Sequence, residues 1–217
     1  MSKTTNASGP ATPRIHHPFF AACYERVSLG GGEGRFFEPL RRELIEQAHG
    51  VVLEVGAGTG LNFQHYPPEK VERVEATEPD VAMLTHMRKR LPLARVPLTI
   101  SQAASEALPF ASGTFDCAIA TLVFCSVGNP VQSFQEIRRT LKPGGTLFLL
   151  EHVRSQKPFI ATLQDALVPL TTCFTGNCHW NRDTYQAAIQ AGFHMHLLRR
   201  LNGGFHPILL LQATNPS

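Results

Sequence analysis

The sequence predicts an α/β fold in which a doubly wound, mostly parallel sheet finishes in an antiparallel strand. Three observations predict it. Short β-prone runs alternate with segments of helical periodicity, which is the pattern of parallel strands joined by crossover helices. The chain has 217 residues, of which 43% are hydrophobic, and this suits one sizeable core. The last two β-prone runs are joined only by "NGGF", which is too short for a parallel crossover.

The N-terminal part of the chain divides into a tail and two helical segments. Residues 1–17 are polar, contain proline and glycine and show no periodicity, so we expect a flexible tail and a single domain over 18–217. The segment "HPFFAACYERV" predicts an N-terminal helix. "RFFEPLRRELIEQA" carries its large apolar residues on one helical stripe and its charges opposite, which predicts that one face packs on a core.

The rest of the chain alternates between strands and helices. Five runs predict strands: 51–55, 71–77, 97–101, 115–120 and 146–151. Apolar residues recur at helical spacing between the second and third runs, and between the fourth and fifth: Leu84, Met87 and Leu91, then Phe134, Ile137 and Leu141. A further helix is predicted from Asn181 to Ala191. The runs "HMHLLRRL" and "HPILLLQA" then form the terminal hairpin.

Composition argues against several classes of protein. The net charge is +3, and the basic clusters at 88–90 and 199–200 lie in mixed patterns, which indicates solvated faces rather than a nucleic-acid-binding patch. No stretch approaches the roughly 20 apolar residues of a membrane span, and the N-terminus lacks a signal-peptide core. We therefore expect a cytoplasmic protein with no nucleic-acid partner and no stable membrane insertion. The sequence does not indicate an oligomeric state.

The cysteines indicate reduced thiols. Their number is odd and no C-x-x-C pair occurs, so neither a disulfide framework nor a zinc ribbon is indicated: Cys23, Cys117, Cys125, Cys173 and Cys178. Cys173, Cys178 and His179 are close enough in sequence for a metal site to be considered. A fourth ligand at typical spacing is missing, so we predict no metal.

A glycine-rich loop follows the first predicted strand in "VVLEVGAGTGLNFQHYP". Gly56, Gly58 and Gly60 stand at the carboxyl end of that strand, where the switch point of a doubly wound sheet leaves a crevice for a ligand. Without Cβ atoms, the loop can turn tightly and bring backbone N–H groups close to the ligand. The spacing is G-x-G-x-G, whereas a dinucleotide site has G-x-G-x-x-G, and Leu61 occupies the third glycine position of that pattern.

Two acids narrow the choice of ligand. Glu54, just before the glycine loop, would repel a pyrophosphate but suits a ligand with an ammonium or sulfonium charge. Glu78 follows the second strand and is placed to accept hydrogen bonds from both hydroxyls of a ribose. The predicted ligand is a nucleoside with a positively charged appendage, and S-adenosylmethionine fits that description.

The motifs "VLEVGAGTG", "ATEPD", "ALPFASGTFD" and "LKPGG", in this order over residues 51–151, resemble those of the class I S-adenosylmethionine-dependent methyltransferases. The resemblance implies a Rossmann-like, seven-stranded sheet with only the last strand antiparallel, which agrees with the hairpin predicted from the residues. It also implies S-adenosylmethionine as cofactor and a small-molecule methyl acceptor as partner.

The resemblance assigns roles to residues of this chain. The methionine part of the cofactor is assigned to Glu54, Gly56, Ala57, Gly58, Thr59 and Gly60, and the ribose to Glu78. The adenine is assigned to Pro79 and Met83, although Met83 also fits the core. An acid is common where this chain has Ala104, so Ser105 and Glu106 are the remaining adenine candidates; Glu106 also fits a solvated loop. Further cofactor contacts are expected from Tyr24, Asn62, Thr121 and Leu122, with the N-terminal helix as a lid.

A closer resemblance concerns the acceptor. "GTGLNFQHYP", "TLVFCSV", "EHV" and "CHWNRDT" are similar to the subfamily of membrane-associated thiol methyltransferases of animals and their bacterial relatives, some labelled as phospholipid methyltransferases. This chain departs from the animal members in lacking their hydrophobic N-terminal anchor, so we do not expect membrane attachment. The resemblance implies a thiol acceptor, with a phospholipid, quinone or phenol as the alternative.

Two histidines are candidates for facing the acceptor. His152 ends the fifth strand, and His179 precedes the following helix; either could serve as a base for a protonated acceptor. The alternatives are a His152 bonded within the edge of the sheet and a His179 that braces the helix. Two other functions remain open at this point: a nicotinamide-dependent oxidoreductase, which the glycine spacing disfavours, and a non-catalytic cofactor-binding regulator.

Overall fold

The computed structural model describes residues 15–29, 33–172, 177–201 and 205–216. The helices are α1 (Pro18–Leu29), α2 (Glu33–Ile45), α3 (Val81–Arg90), α4 (Pro130–Thr140), α5 (Pro158–Thr171) and α6 (Thr184–Gln190). The strands are β1 (Gly50–Val55), β2 (Val71–Thr77), β3 (Leu98–Ser101), β4 (Phe115–Thr121), β5 (Leu141–His152), β6 (His194–Leu201) and β7 (Ile208–Thr214).

The strands form one sheet of seven in the order β3-β2-β1-β4-β5-β7-β6. The pairs among β1 to β5 are parallel, and β7 is antiparallel to both β5 and β6. The predicted fold class and terminal hairpin are therefore confirmed. After β3 the chain returns to the other side of β1, so the switch point lies between β1 and β4.

Successive side chains of β1 lie on opposite faces of the sheet and pack into two separate apolar layers. Leu53 and Val55 pack on one face of the sheet with Phe134 and Ile137 of α4. Val52 packs on the other face with residues of α2, among them Leu44. Because both faces are covered, nearly every residue of β1 is buried, as expected for a central parallel strand.

One strand boundary and one helix differ from the sequence prediction. β5 begins at Leu141, because Leu141 pairs with Phe115 before the ladder is interrupted and resumes at Thr146. α5 was not predicted, because large apolar residues such as Phe159 and Leu170 are exposed on it and blur its helical stripe. Cys173 and the loop at 202–204 lie outside the described residues.

The predicted tail is attached to the domain at its end. Ile15 forms a parallel bridge with Asp80, and the backbone N–H of His17 donates to the Asp80 carboxylate at 2.9 Å. Among the described residues, 15–17 are therefore attached to the domain, which corrects the expectation that they belong to a flexible tail. None of the helices in the described ranges combines the length and the apolar character needed to cross a membrane.

Candidate active site

A cavity of about 820 Å³ lies at the carboxyl ends of the first four strands. Its walls include residues that follow β1, β2, β3 and β4, together with residues of the N-terminal segment. This is the crevice that the switch point between β1 and β4 leaves open. Its volume is in the range of small-molecule and cofactor sites.

Most of the residues predicted to bind the cofactor line this cavity: Tyr24, Gly56, Ala57, Gly58, Thr59, Glu78, Pro79, Met83, Ala104, Ser105, Glu106, Thr121 and Leu122. Glu54, Gly60 and Asn62 do not line it. The structure therefore brings the first set of predicted residues together around one cavity and leaves the other three outside its lining.

The three glycines of the loop have different surroundings. All three have positive φ. A Cβ added to Gly56 would lie 2.8 Å from Val123, and one added to Gly60 would lie 2.9 Å from Phe63, so these glycines permit packing against the protein. A Cβ on Gly58 would meet no protein atom within 4 Å. Gly58 is therefore the glycine of this loop that keeps the cavity itself open.

Two polar groups of the cavity fit a nucleoside ligand. The Thr59 hydroxyl is buried and has no hydrogen-bond partner among the residues that the structure describes. A buried polar atom without a partner is costly, so a ligand or water is expected to bond it. The Glu78 carboxylate accepts hydrogen bonds from the backbone N–H groups of Gly58 and Asp80, each at 2.9 Å. These bonds fix the carboxylate at the mouth of the glycine loop.

Burial raises the pKa of Glu78 to about 7, although its two backbone hydrogen bonds oppose the shift. The cause is desolvation, which disfavours the charged form of a carboxyl group. Hydroxyl donors from a ribose would favour the ionised form and would lower this pKa on binding.

Glu54 lies behind the cavity rather than in its wall. Its carboxylate accepts hydrogen bonds from the Tyr66 hydroxyl at 2.7 Å and from the Asn62 amide at 2.9 Å. The Asn62 amide also reaches the Thr121 hydroxyl at 3.1 Å, and Thr121 does line the cavity. Burial raises the pKa of Glu54 to about 7. The expectation that Glu54 and Asn62 contact the cofactor directly is therefore corrected to support through Thr121.

The site contains a cation that the sequence prediction missed. Arg41 of α2 lines the cavity and is buried, with 7% of its surface exposed. Its guanidinium donates to the Thr121 hydroxyl at 2.6 Å and to Tyr24 at 3.3 Å, and it forms no ion pair within the described residues. The helical pattern had indicated a solvated charge. A buried guanidinium without a carboxylate partner suits an anionic group of the ligand.

The predicted adenine end is held by bonds within the protein. The Ser105 hydroxyl lies 2.8 Å from that of Ser133 and donates to Glu106. Glu106 also accepts from the backbone N–H groups of Gly128 and Asn129 at 2.8 and 3.2 Å. Glu106 is therefore a partly buried acid that fastens the loop preceding α4.

The N-terminal segment forms one wall. Ile15, His17, Phe20 and Tyr24 line the cavity, and Asp80 holds this segment through both the backbone N–H and the ring of His17. Asp80 also accepts from the backbone of Ala82 and so caps α3. The prediction that α1 covers the site fits this placement.

The wall that follows β4 carries backbone strain. Leu122 and Asn177 are the non-glycine residues with positive φ in the described part of the chain, at 60° and 64°, and both line the cavity. Such conformations are rare for residues with a Cβ and are concentrated at functional sites. Leucine is the less tolerant of the two, so its backbone is held by its surroundings, including a 2.7 Å bond from its N–H to Leu150.

The two predicted acceptor-facing histidines are not in the cavity lining. The His179 ring bonds the Asn177 side chain at 3.1 Å, and its backbone N–H donates to Cys125 at 2.7 Å. These two bonds tie His179 to Asn177 and to the loop after β4 rather than to α6, so they do not show the helix-bracing alternative. The His152 ring packs against Phe37, with ring centroids 5.7 Å apart. The expectation that both rings contact the acceptor is therefore not supported by their positions.

The sheet order and the position of the cavity define the class of protein: this is the architecture of the class I S-adenosylmethionine-dependent methyltransferases. A family model described as "Methyltransferase domain" matches residues 53–149. Together with the relative described next, which is 34% identical over 78% of this chain, this match shows that the chain belongs to the methyltransferase family, and S-adenosylmethionine is its methyl donor. The regulator and oxidoreductase alternatives are set aside by the same matches.

Two methyltransferases related in sequence and one solved structure are among the proteins similar to this chain. Thiol S-methyltransferase TMT1B of Rattus norvegicus is 34% identical over 180 residues, which is 78% of this chain and 74% of the relative. The ubiquinone/menaquinone biosynthesis C-methyltransferase UbiE of Syntrophotalea carbinolica is 34% identical over 126 residues, 56% of this chain and 52% of the relative. A solved S-adenosylmethionine-dependent methyltransferase of Thermotoga maritima has a TM-score of 0.67 at 22% identity and covers 91% of this chain and 97% of its own.

Proposed function

We propose that this methyltransferase acts on a small, largely apolar thiol. One observation carries the proposal: the cavity wall that follows β4 is uncharged. It is formed by Thr121, Leu122, Val123, Ser126, Val127 and Gly128. The similarity to thiol S-methyltransferase TMT1B supports the same acceptor class.

The cofactor is proposed to lie across the glycine loop. Glu78 accepts from the ribose hydroxyls, the backbone at Gly58 borders the methionine part, and the Arg41 guanidinium binds its carboxylate. S-adenosylmethionine supplies a methyl group on a positively charged sulfur, which is transferred by direct displacement. The protein's part is to align the acceptor with that methyl group and to exclude water, for which α1 is suitably placed.

We expect Arg41→Gln to weaken S-adenosylmethionine binding about tenfold, or about 1.4 kcal/mol. The physical reason is the loss of a charge-assisted bond to the methionine carboxylate. Binding is measured by calorimetry. Arg42→Gln is the matched control, since Arg42 is exposed and paired with Glu46; its affinity should not change.

A second ligand separates this role from a general disturbance of the site. 5′-Methylthioadenosine lacks the amino-acid carboxylate, so Arg41→Gln should bind it as well as the parent protein does. If both ligands lose affinity equally, Arg41 does not recognise the carboxylate.

The acceptor wall decides between classes of nucleophile. An amine acceptor favours a nearby carboxylate or an aromatic cage around its charge. Two carboxyl groups are bonded to the backbone of this segment and are already engaged there: Glu106 accepts from Gly128 and Asn129, and Glu151 accepts from Val123 and Phe124. A thiol, with a reference pKa near ~8.5, needs less help to ionise than a phenol near ~10. An apolar wall without a base therefore fits a thiol best.

A quinone or phenol is the second candidate, and the similarity to UbiE supports it. The chain spans about half the length of that relative. A planar ring could lie against the apolar wall, but carbon or oxygen methylation needs a base for a weakly acidic acceptor. None of the described residues in the 121–128 wall supplies one.

The acceptor is tested with matched thiol, phenol and phosphatidylethanolamine substrates of comparable apolar size. We expect the thiols to be methylated at least about tenfold faster than the phenol and the lipid. Product formation is measured by mass spectrometry. Methylation of the phenol or the lipid with none of the thiols would overturn the proposal and favour the corresponding alternative.

A further inference from the structure

Three side chains with metal-binding atoms meet beside the cavity. The Cys125 and Cys178 sulfurs and a ring nitrogen of His152 lie within 4.8 Å of one another. Cys125 follows β4, His152 ends β5 and Cys178 precedes α6, so three separate segments contribute. This is not the set considered from the sequence, which combined Cys178 with His179 and with Cys173, a residue outside the described ranges.

Hydrogen bonds between the segments hold this cluster together. The backbone N–H of His179 donates to the carbonyl of Cys125 at 2.7 Å, which brings Cys178 alongside. The Asn177 amide donates to the Ser126 carbonyl at 3.1 Å, and Arg182 donates to the Phe124 carbonyl at 2.9 Å. These bonds join the segment around Cys125 to the segment around Cys178 on both sides of each cysteine. Such preorganisation is what a metal site requires.

A buried carboxyl group lies next to the cluster. Glu151 precedes His152 and is fully buried. One of its oxygens accepts from the backbone N–H groups of Val123 and Phe124 at 2.8 and 3.0 Å, and these bonds fix the chain just before Cys125. The other oxygen has no hydrogen-bond partner among the described residues. A buried carboxyl oxygen without a partner is costly, so a polar ligand group or water is expected beside the cluster.

The three ligand residues do not themselves line the cavity, but their neighbours in the chain do. Leu122 and Val123 line the cavity before Cys125, and Ser126 and Val127 line it after. Asn177, the neighbour of Cys178, lines it as well. The surroundings beyond are aromatic: Trp180 packs on His206 with ring centroids 4.3 Å apart. A ligand bound to the cluster would therefore lie between the cavity and an apolar wall.

We propose that Cys125, His152 and Cys178 bind one zinc ion, and that the acceptor thiol occupies the fourth coordination position. Two thiolates and one imidazole with an open position form a known type of catalytic zinc site. The soft sulfur ligands favour zinc over magnesium or calcium. The claim that the acceptor thiol binds the zinc rests on the proposed function. The metal site itself is inferred from the cluster alone.

The transfer balances as follows. On binding, the acceptor thiol loses its proton to water and becomes a thiolate ligand of the zinc. The thiolate sulfur then attacks the methyl carbon of S-adenosylmethionine; a new carbon–sulfur bond forms, and the bond to the sulfonium sulfur breaks with its electron pair staying on that sulfur. The thiolate and the sulfonium charges cancel. The neutral thioether product is a weaker ligand than a thiolate, which favours its release.

The metal half is tested on the full-length, freshly reduced protein by elemental analysis and by replacing zinc with cobalt. We expect about one zinc per chain and cobalt absorption bands typical of thiolate ligation. Cys178→Ser should weaken zinc binding at least about tenfold while S-adenosylmethionine affinity, which reports folding, is retained. Cys23→Ser, a change at an exposed cysteine, is the matched control and should bind zinc as the parent does.

The acceptor half has its own readout. Adding the thiol acceptor to the cobalt form should change the absorption bands, and adding the matched alcohol should not. If the reduced protein takes up neither zinc nor cobalt, or if Cys125→Ser and Cys178→Ser bind them as tightly as the parent, the metal site is refuted. If metal-free protein methylates thiols at the full rate, the zinc inference fails while the proposed function stands.

A further outcome would separate the metal site from the thiol acceptor. If zinc binds through these residues but thiols are neither methylated nor able to alter the cobalt bands, the thiol acceptor and the second half of the inference both fail. The metal site alone would then remain.

Discussion

Gly58→Val is expected to abolish S-adenosylmethionine binding while the protein stays folded. Gly58 has a φ of 57°, and a Cβ there would meet no protein atom within 4 Å, so the new side chain would enter the cavity. A β-branched residue is also strained in this backbone conformation, by roughly 1–3 kcal/mol. Calorimetry should detect no binding at cofactor concentrations that saturate the parent protein.

Gly113→Val is the matched control for this change. Gly113 has a similar φ of 65° and similarly open space around its missing Cβ, but it is not part of the cavity lining. Gly113→Val should lose stability in thermal unfolding and keep its cofactor affinity. Normal binding by a folded Gly58→Val would show that the loop does not border the cofactor at this residue.

The second large effect is expected at Glu78. Glu78→Ala should weaken S-adenosylmethionine binding by about 1.5–3 kcal/mol, or about 10- to 150-fold, since the charge-assisted hydrogen bonds to the ribose are lost. The change also leaves the N–H groups of Gly58 and Asp80 without their acceptor. Unchanged affinity in a folded variant, measured by calorimetry, would remove Glu78 from the site.

The pH dependence of binding gives the same residue a sharper signature. Burial raises the pKa of Glu78 to about 7, so the carboxyl is mostly protonated below pH 7 in the free protein. Ribose hydroxyls donate to the ionised form, so affinity should rise as the pH increases through 7. Glu78→Gln should lose this part of the dependence. We attribute any pH dependence of binding that Glu78→Gln retains to Glu54, because burial also raises the pKa of Glu54 to about 7.

The layer behind the cavity gives Glu54 a role other than the one expected. Tyr66 and Asn62 donate to its carboxylate, and Asn62 and Arg41 both donate to Thr121. The acid therefore fixes the groups that face the ligand, and its charge acts on the ligand through the protein. The sequence predicts that Glu54 ends a strand just before the glycine loop. It does not predict how far the carboxylate lies from the cavity.

The sequence alone was sufficient to predict the fold, and it named many of the residues that line the cavity. Alternating strands and helices predicted the parallel sheet, because each periodicity is local and depends on residues close together in the chain. The short link between the last two runs predicted the antiparallel β7 for the same reason. Gly58 and Glu78 both line the cavity because each lies just beyond the end of a predicted strand, and parallel strands bring their carboxyl ends to one edge.

The tertiary structure decided the rest. Arg41 belongs to a helix whose pattern placed its charges toward solvent, yet the packing of α1 and α2 buries its guanidinium beside Thr121. Cys125, His152 and Cys178 carry no motif spacing, because they come from segments that only the sheet and its connections bring together. Local periodicity fixes which face of an element is apolar, whereas contacts between distant segments depend on how those elements pack.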